Sequence, residues 1–388
     1  MKIGILTYYG DLNCGTNLQA YATLLAIEKA HPNDKVEIIP FHGFKFFLYP
    51  YKSLRPYAIR RDLIRIKKYE EFKRSCLKIS KDKTILDTNQ ALDYIDSRHY
   101  DRIYVGADTL LELDRLPKGY DGLSAYWLKD IKAEKFLIAA SAKNVEYEKL
   151  SAVQRIDMET ALKQFTGIAV RDRATVELLS HFMSSEHIHY IPDPTFTLDI
   201  DYSYIENYIS RKHIHIPKKS VFIQFFGNDI WVDGLIDQLH ENDYKIVVVR
   251  PHKKADFELN DIGPLEQLGL YRYVDFVITH RFHDCVFSLK NGIPFLVYIN
   301  KKQAMMTSNG NESKQISITK DFQLFPEAFL GTYNDQNWSH RIIERMEQIR
   351  LIFRKEIINS QLSQQKKIYW DYLTKTSLPS SLRQEILI

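Results

Sequence analysis

The chain has little cysteine. Its 388 residues hold three, Cys14, Cys76 and Cys285, an odd number, far apart and without metal-ligand spacing. That excludes a disulfide-stapled secreted scaffold and a zinc ribbon, and it fits a reducing, cytoplasmic setting. No apolar run reaches the length of about 18 residues that a transmembrane helix needs, so none is expected. The opening Met1-Lys2-Ile3-Gly4-Ile5-Leu6-Thr7 lacks the longer apolar core and cleavage site of a signal peptide and reads as a strand. Charge of one sign is also scarce: a formal +4 is too small to imply a nucleic-acid partner. The spacing of Gly10 and Gly15 is wrong for the dinucleotide fingerprint. His252, His280 and His283 have no metal-like spacing, so neither a metal nor a cofactor is expected. Internal repeats and low-complexity tracts are absent.

What is present is globular: 45% hydrophobic residues, with 24 Tyr and 21 Phe, in a chain long enough for two ordinary domains. Ile3 to Thr7 is a strand, Tyr8 to Asn17 a polar loop, Leu18 to Ile27 a helix that Thr16 or Asn17 would cap, and Val36 to Pro40 a second strand. This βαβ opening predicts a right-handed parallel crossover. Further strands are expected around Tyr100–Asp108, Lys135–Ser141, Gly167–Asp172, Val221–Phe226 and Lys245–Arg250, the last followed by Arg250, His252 and Asp256 near a cleft. Leu198 to Ser220 is polar and reads as the boundary between domains. The expected organisation is an N-terminal α/β domain over 1–199, a second α/β domain over 220–335, and C-terminal helices over 336–388 that pack back on the first domain. One of those helices spans Ser339 to Ile358, with Ile342, Met346, Ile349 and Phe353 inward, and another lies around Lys366 to Leu373. Asn300 to Lys320 reads as a mobile loop that could act as a lid.

Residues 55 to 74 are basic, with Arg60, Arg61, Arg65, Lys67, Lys68, Lys73 and Arg74 around an apolar series Leu63, Ile66, Tyr69 and Phe72 at helical spacing. A solvated helix face is one reading. Attraction to the inner, anionic face of a membrane, where a lipid-linked substrate would be found, is the other.

The chain is organised around Val274 to Ser288. Phe276 to Ile278 is a buried strand, and Thr279, His280, Arg281 and His283 form a polar cluster after it. Val286, Phe287 and Leu289 then continue as a short helix that stops at Asn291-Gly292 ahead of Pro294. Phe295 to Ile299 is the next strand. In an open α/β sheet, ligands bind outside the carboxyl ends of the strands, so Arg281 and His283 occupy a natural anion seat at a helix N-terminus. An ordinary capped loop is the alternative.

Several stretches resemble the polysaccharide pyruvyltransferase family. They are Gly263-Pro264-Leu265-Glu266-Gln267-Leu268-Gly269-Leu270, Asp275 to Thr279, Arg281-Phe282-His283 and Phe287-Ser288. The opening loop is similar to the Asn-x-Gly-x-x-Leu-Gln-Ala-Tyr-Ala stretch of one subgroup, through Asn13, Gly15, Leu18, Gln19, Ala20, Tyr21 and Ala22. Gly106 and Asp108, Ser141, Val170-Arg171-Asp172 and Asp193-Pro194-Thr195 match further motifs. Ala107, Leu110-Leu111-Glu112, Lys143 and Asp284 depart from the family's pattern.

The resemblance covers residues 1 to about 305. It implies two Rossmann-like domains facing a cleft, the GT-B-like arrangement, and transfer of pyruvate from phosphoenolpyruvate to two hydroxyls of a saccharide, free or lipid-linked. It implies Arg171 and Arg281, from opposite domains, as the donor-binding cations, since an Arg fork takes oxyanions bidentately. His283 is the implied general acid and Asp108 a base near the acceptor. Asn13, Gly15, Gln19 and Ser141 are implied as acceptor-binding or loop-shaping residues. A nucleotide-sugar glycosyltransferase of the same architecture and a non-catalytic saccharide-binding protein are the alternatives.

Overall fold

A computed structural model describes residues 1–42, 54, 59–113, 116, 120–143, 145–225, 230–299, 313–332, 341–379 and 381. The chain divides into two compact units. The first is Met1–Leu54, Tyr69–Leu198 and Gln365–Ile388; the second is Arg55–Lys68 and Asp199–Gln364.

In the first unit the strands are β1 (Lys2–Leu6), β2 (Lys35–Ile38), β3 (Arg102–Val105), β4 (Glu134–Ala140), β5 (Gly167–Val170) and β6 (Ile188–Tyr190). All pair in parallel, in the order β2-β1-β3-β4-β5-β6. Helix α1 (Cys14–Ala30) crosses from β1 to β2. Its N-cap is Asn13, whose side chain accepts from Gly15 N at 3.1 Å; Thr16 and Asn17 lie inside the helix, three residues or more from that role. The inner strands β1, β3, β4 and β5 are buried on both faces, as crossover helices require, whereas the edge strand β6 leaves Tyr190 exposed. Each fully buried Ile or Phe in them contributes about 1.5–3 kcal/mol. Between β2 and β3 the chain forms α2 (Ile59–Cys76), whose residues up to Lys68 belong to the second unit, and α3 (Thr88–Ser97); α4 (Ala152–Leu162) and α5 (Arg173–Ser180) flank β5.

The second unit repeats the plan. Its strands are β7 (Ser220–Ile223), β8 (Lys245–Val248), β9 (Phe257–Glu258), β10 (Phe276–Thr279), β11 (Phe295–Ile299) and β12 (Phe329–Thr332). They too pair in parallel, in the order β12-β11-β10-β7-β8-β9. Three readings need correction here. The boundary over Leu198 to Ser220 contains a helix, α6 (Ser203–Lys212), with Ile205 and Tyr208 buried. It packs on α8 (Pro264–Leu270) so closely that a Cβ on Gly269 would meet Ile205 Cγ2 at 2.7 Å. Of the supposed lid, 300–312 lie outside the described residues, and Lys314–Asp321 is a helix (α10) capped by Ser313. The segment 339–358 is not one helix: α11 (Ile342–Ile352) stops where Phe353 leaves helical backbone at ψ 82°, and α12 (Lys355–Ser377) follows. The remaining helices, α7 (Ile230–Glu241) and α9 (Phe282–Asn291), flank β7 and β10.

No described helix is long and apolar enough to cross a membrane. Among the described residues no group of three or more His, Cys, Asp or Glu is placed to hold a metal ion.

Candidate functional site

Both sheets have a point where chain order reverses, and the sequence-predicted residues gather at the carboxyl ends of the strands there. In the first sheet the reversal lies between β1 and β3. Gln19, fully buried in α1, ties the two loops together: its Nε2 donates to Thr7 Oγ1 and Tyr8 O at 3.0 Å, and its Oε1 accepts from Ala107 N at 3.1 Å. Asn17, also buried, accepts from Gly10 N at 3.0 Å and donates to Asp11 O at 2.7 Å and Asn13 O at 2.9 Å. Asn13, Gly15 and Gln19 therefore shape the loop. Asn17 does as much, and sequence reasoning placed it only as a cap.

Gly106 sits where β3 runs closest to β4: a Cβ there would lie 1.8 Å from Ile138 O, and its φ is +151°. Only glycine fits. Two residues on, Asp108 bridges to the end of β4, with Ser141 N donating to Asp108 O at 2.9 Å and Leu111 N to Ser141 O at 3.1 Å. Ser141 itself is fully buried, and its Oγ accepts from Lys143 N at 3.1 Å, a loop-shaping part. Glu112 and Lys143, two departures from the family pattern, pair with each other at 2.7 Å, the carboxylate almost wholly buried. One substitution thus supplies the counter-charge for the other.

The resemblance places Arg171 on the donor; in the structure its buried guanidinium is spanned by two carboxylates: Nη2 donates to Asp108 Oδ1 at 2.6 Å and Nη1 to Asp193 Oδ2. Burial works against its charge, yet Asp108, Asp193 and Asp172 outweigh it and hold the pKa above the ordinary arginine value. A cation between two anions is a poor seat for a third anion. It is a good clamp: Asp108, at φ +87°, is held by Arg171 and by Thr109 N at 2.8 Å. Asp193, the first residue of Asp193-Pro194-Thr195, accepts from Thr195 N at 3.0 Å and Thr195 Oγ1 at 2.7 Å through its other oxygen. The sequence offered Asp193-Pro194-Thr195 only as a family motif; its capping role and its reach to Arg171 come from the structure.

In the second sheet the reversal lies between β7 and β10. Their ends are joined by His280, whose Nδ1 is 3.2 Å from Gln224 O and 3.3 Å from Tyr298 OH. Burial, helped by the Arg281 and Arg250 charges, pushes the His280 pKa well below the usual histidine value, so this ring is neutral at pH 7. Arg281 is the N-cap of α9 and His283 lies in its first turn, both partly exposed. His283 is wedged between aromatic rings, edge-on to Phe282 at 5.3 Å and stacked with Phe287 at 6.2 Å. Asp284 locks the start of the helix to the strand end, accepting from Thr279 Oγ1 at 2.7 Å and from Tyr271 OH at 2.8 Å. Its carboxyl is buried, which raises its pKa against the pull of Arg281 and the two hydroxyls. Arg281 N in turn donates to Thr279 Oγ1 at 3.0 Å.

Of the residues after β8, His252 pairs with Asp233 at 3.1 Å. Asp256 is not at the carboxyl edge: it accepts from Ile246 N at 2.8 Å and Lys245 Nζ at 2.9 Å, beside the start of β8. The predicted residues thus form two groups, Asn13, Gly15, Gln19, Asp108, Ser141 and Arg171 in the first unit, Arg281 and His283 in the second.

A family model described as polysaccharide pyruvyl transferase matches residues 13–302. No curated protein matches the chain. Among solved structures, the chain is similar to MnaA of S. aureus in a co-structure with UDP, with TM-score 0.56, 11% identity, and 100% of this chain and 98% of that one covered. It is similar to the UDP-GlcNAc 2-epimerase of Neisseria meningitidis bound to UDP-GlcNAc, with TM-score 0.55, 11% identity, and 97% and 100% covered. UGT71G1 of Medicago truncatula complexed with UDP-glucose gives TM-score 0.50, 11% identity, and 100% and 98% covered. At such identity these likenesses show the fold alone, two parallel Rossmann-like sheets of the GT-B type.

Proposed function

The chain belongs to the polysaccharide pyruvyl transferase family and is a transferase, and from that premise we propose that it moves pyruvate from phosphoenolpyruvate onto two hydroxyls of a saccharide. The acceptor is a polysaccharide or a lipid-linked glycan precursor. The observation that carries the reading is the pair Arg281 and His283 at the N-terminus of α9, on the strand end where the second sheet reverses.

Arg281 takes an anionic group of the donor in its planar fork, and the positive end of the ten-residue helix adds to that attraction. His283 donates a proton to the methylene carbon while the first acceptor hydroxyl adds to the neighbouring carbon. The C–O bond to phosphate then breaks with its electron pair on the phosphate. An oxocarbenium-like centre remains, and the second hydroxyl closes the ketal. Of the two hydroxyl protons, one replaces the proton given by His283 and the other leaves with the phosphate. Asp108 is the acceptor-side base, and Arg171, instead of binding donor, positions it with Asp193.

The test compares His283→Ala and His283→Gln, each shown to be folded, for phosphate release and for the acceptor's gain in mass. Loss of a general acid should lower turnover by roughly 10²–10⁴ in both, since an amide cannot supply a proton. Near wild-type turnover in folded His283→Gln would end the acid role. In the same assay Arg281→Lys should weaken donor binding about tenfold or more, because charge-assisted hydrogen bonds contribute roughly 1.5–3 kcal/mol each.

A nucleotide-sugar substrate is the second reading, because the solved neighbours of this fold hold UDP, UDP-GlcNAc and UDP-glucose.

A further inference from the structure

The amino ends of the strands in the second unit carry a cavity that the proposed reaction does not use. It has a volume of about 550 Å³ and is lined by Lys219, Tyr244, Asp275, Arg350 and Lys355, with Gly292, Ile293 and Pro294. Lys219, Tyr244, Asp275 and Pro294 each stand one residue before a strand: β7, β8, β10 and β11, four neighbours in the sheet. Arg350 comes from the last turn of α11 and Lys355 opens α12. Arg281 and His283 lie at the other end of β10, with roughly 13 Å of strand between, at about 3.3 Å per residue.

The lining has three cations against one carboxylate. Arg350 Nη1 donates to Tyr244 OH at 2.9 Å and pairs with Glu347, and its guanidinium packs over the Tyr244 and Phe276 rings. That anchors one cation firmly. Lys219 meets Asp243 only at 3.7 Å, both side chains exposed, a contact of little worth that a ligand can replace. Lys355 is exposed, and no partner holds it among the described residues. Asp275 is half-buried, its backbone N fixed on Ser220 O at 2.9 Å. Burial raises its pKa, opposed by Arg350 and Lys218, and its two oxygens are acceptors for a hydroxyl. Ile293 and Pro294 give an apolar wall of the kind that sugar rings lie against, and the buried Tyr244 ring underlies Lys219 at 5.2 Å and Arg350 at 5.7 Å.

We propose that this cavity is a second ligand site, separate from the catalytic edge, that binds a sugar phosphate. Lys219, Arg350 and Lys355 hold the phosphate, Asp275 accepts a ring hydroxyl, and Ile293 and Pro294 face the ring. The volume lies within the range of small-molecule sites, about 300–1,000 Å³. The carboxylate sets the preference: it opposes bare inorganic phosphate and favours an ester that brings a hydroxyl.

The test is calorimetric titration of the full chain with glucose 1-phosphate and, separately, inorganic phosphate. Wild type should bind the ester more tightly than the inorganic ion. The double variant Lys219→Ala/Lys355→Ala, which changes two exposed side chains, should bind it about a hundredfold more weakly, each lost charge-assisted contact being worth about tenfold. The single variants should fall between. Arg281→Lys should bind the ester as wild type does. No binding by wild type, unchanged affinity in the double variant, or loss of binding in Arg281→Lys would each overturn the site, the last by moving it to the catalytic edge. Equal affinity for inorganic phosphate would overturn the sugar assignment. None of these results depends on whether phosphoenolpyruvate is the donor.

Discussion

At the scale of single residues, the chain depends on histidines that are held neutral. His42 is buried, and its Nε2 donates to Tyr9 O. Burial, with Lys73 adding to it, pushes its pKa down to about 4. His280 is lowered by the same cause. In both, the unfolded chain binds a proton near pH 6.5 that the folded protein refuses. Stability is therefore complete above that pH and is lost as pH falls from 6.5 toward the folded value, by about 1.4 kcal/mol per pH unit for each group. Urea unfolding at pH 7.5 and 5.5 checks this. The wild type should lose more stability between the two than His42→Gln, by about 1 kcal/mol, because glutamine keeps a donor for Tyr9 O and does not titrate. Equal losses in both would show that His42 is charged in the folded state. Arg171 belongs to the same scale. Val-Arg-Asp in a sequence names an arginine beside a strand end, and only coordinates reveal that Asp108 and Asp193, 63 and 22 residues away, have closed on it.

Among the elements, α2 is where a solvated face and a membrane contact compete. Of the apolar series at helical spacing, only Tyr69 and Phe72 are buried. Ile59, Leu63 and Ile64 stay exposed at 50%, 52% and 40%, beside Arg60, Arg61 and Lys67. Arg61 meets Glu258 at 2.7 Å with half its side chain in solvent, so this pair does not neutralise the face. Apolar side chains framed by arginine and lysine match the interface of an anionic bilayer. The full chain should bind liposomes rich in anionic lipid, and binding should fall as salt rises, since charges are screened beyond about 10 Å at 0.1 M. Leu63→Gln should weaken it without altering the salt slope. Failure to bind at low salt would leave α2 a solvated face.

For the whole molecule, the open question is which small molecule the second unit prefers. A ligand that binds only the folded state stabilises it by about 2.7 kcal/mol at 100 times its dissociation constant. Phosphoenolpyruvate should raise the melting temperature of wild type and should do so far less in Arg281→Lys. UDP-GlcNAc and UDP-glucose should leave it unchanged. A shift with the nucleotide sugars and none with phosphoenolpyruvate would favour glycosyl transfer on this fold.

How much of this was legible in the chain differs by the range of the interaction. The strand runs, the βαβ opening, the Gly292 stop at φ +67° and the polar cluster at Thr279 to His283 follow from local chemistry, and the parallel α/β class with two Rossmann-like units follows from them. Arg281 and His283 were located at a strand end for the same reason. Asn13, Gly15, Gln19 and Ser141 were singled out by the family resemblance, and the structure places Gly15 and Gln19 inside α1. The sequence could not decide where one long helix ends and another begins at Phe353, that a supposed linker folds as α6, or that Glu112 and Lys143 are partners. Those outcomes depend on side chains that meet only after the sheets form: Ile205 against Gly269, Asp193 against Arg171, Asp284 against Tyr271. Periodicity and turn chemistry carry information over a few residues, whereas burial and charge pairing are settled by neighbours tens of residues away, so only the tertiary structure assigned the roles of the charged groups.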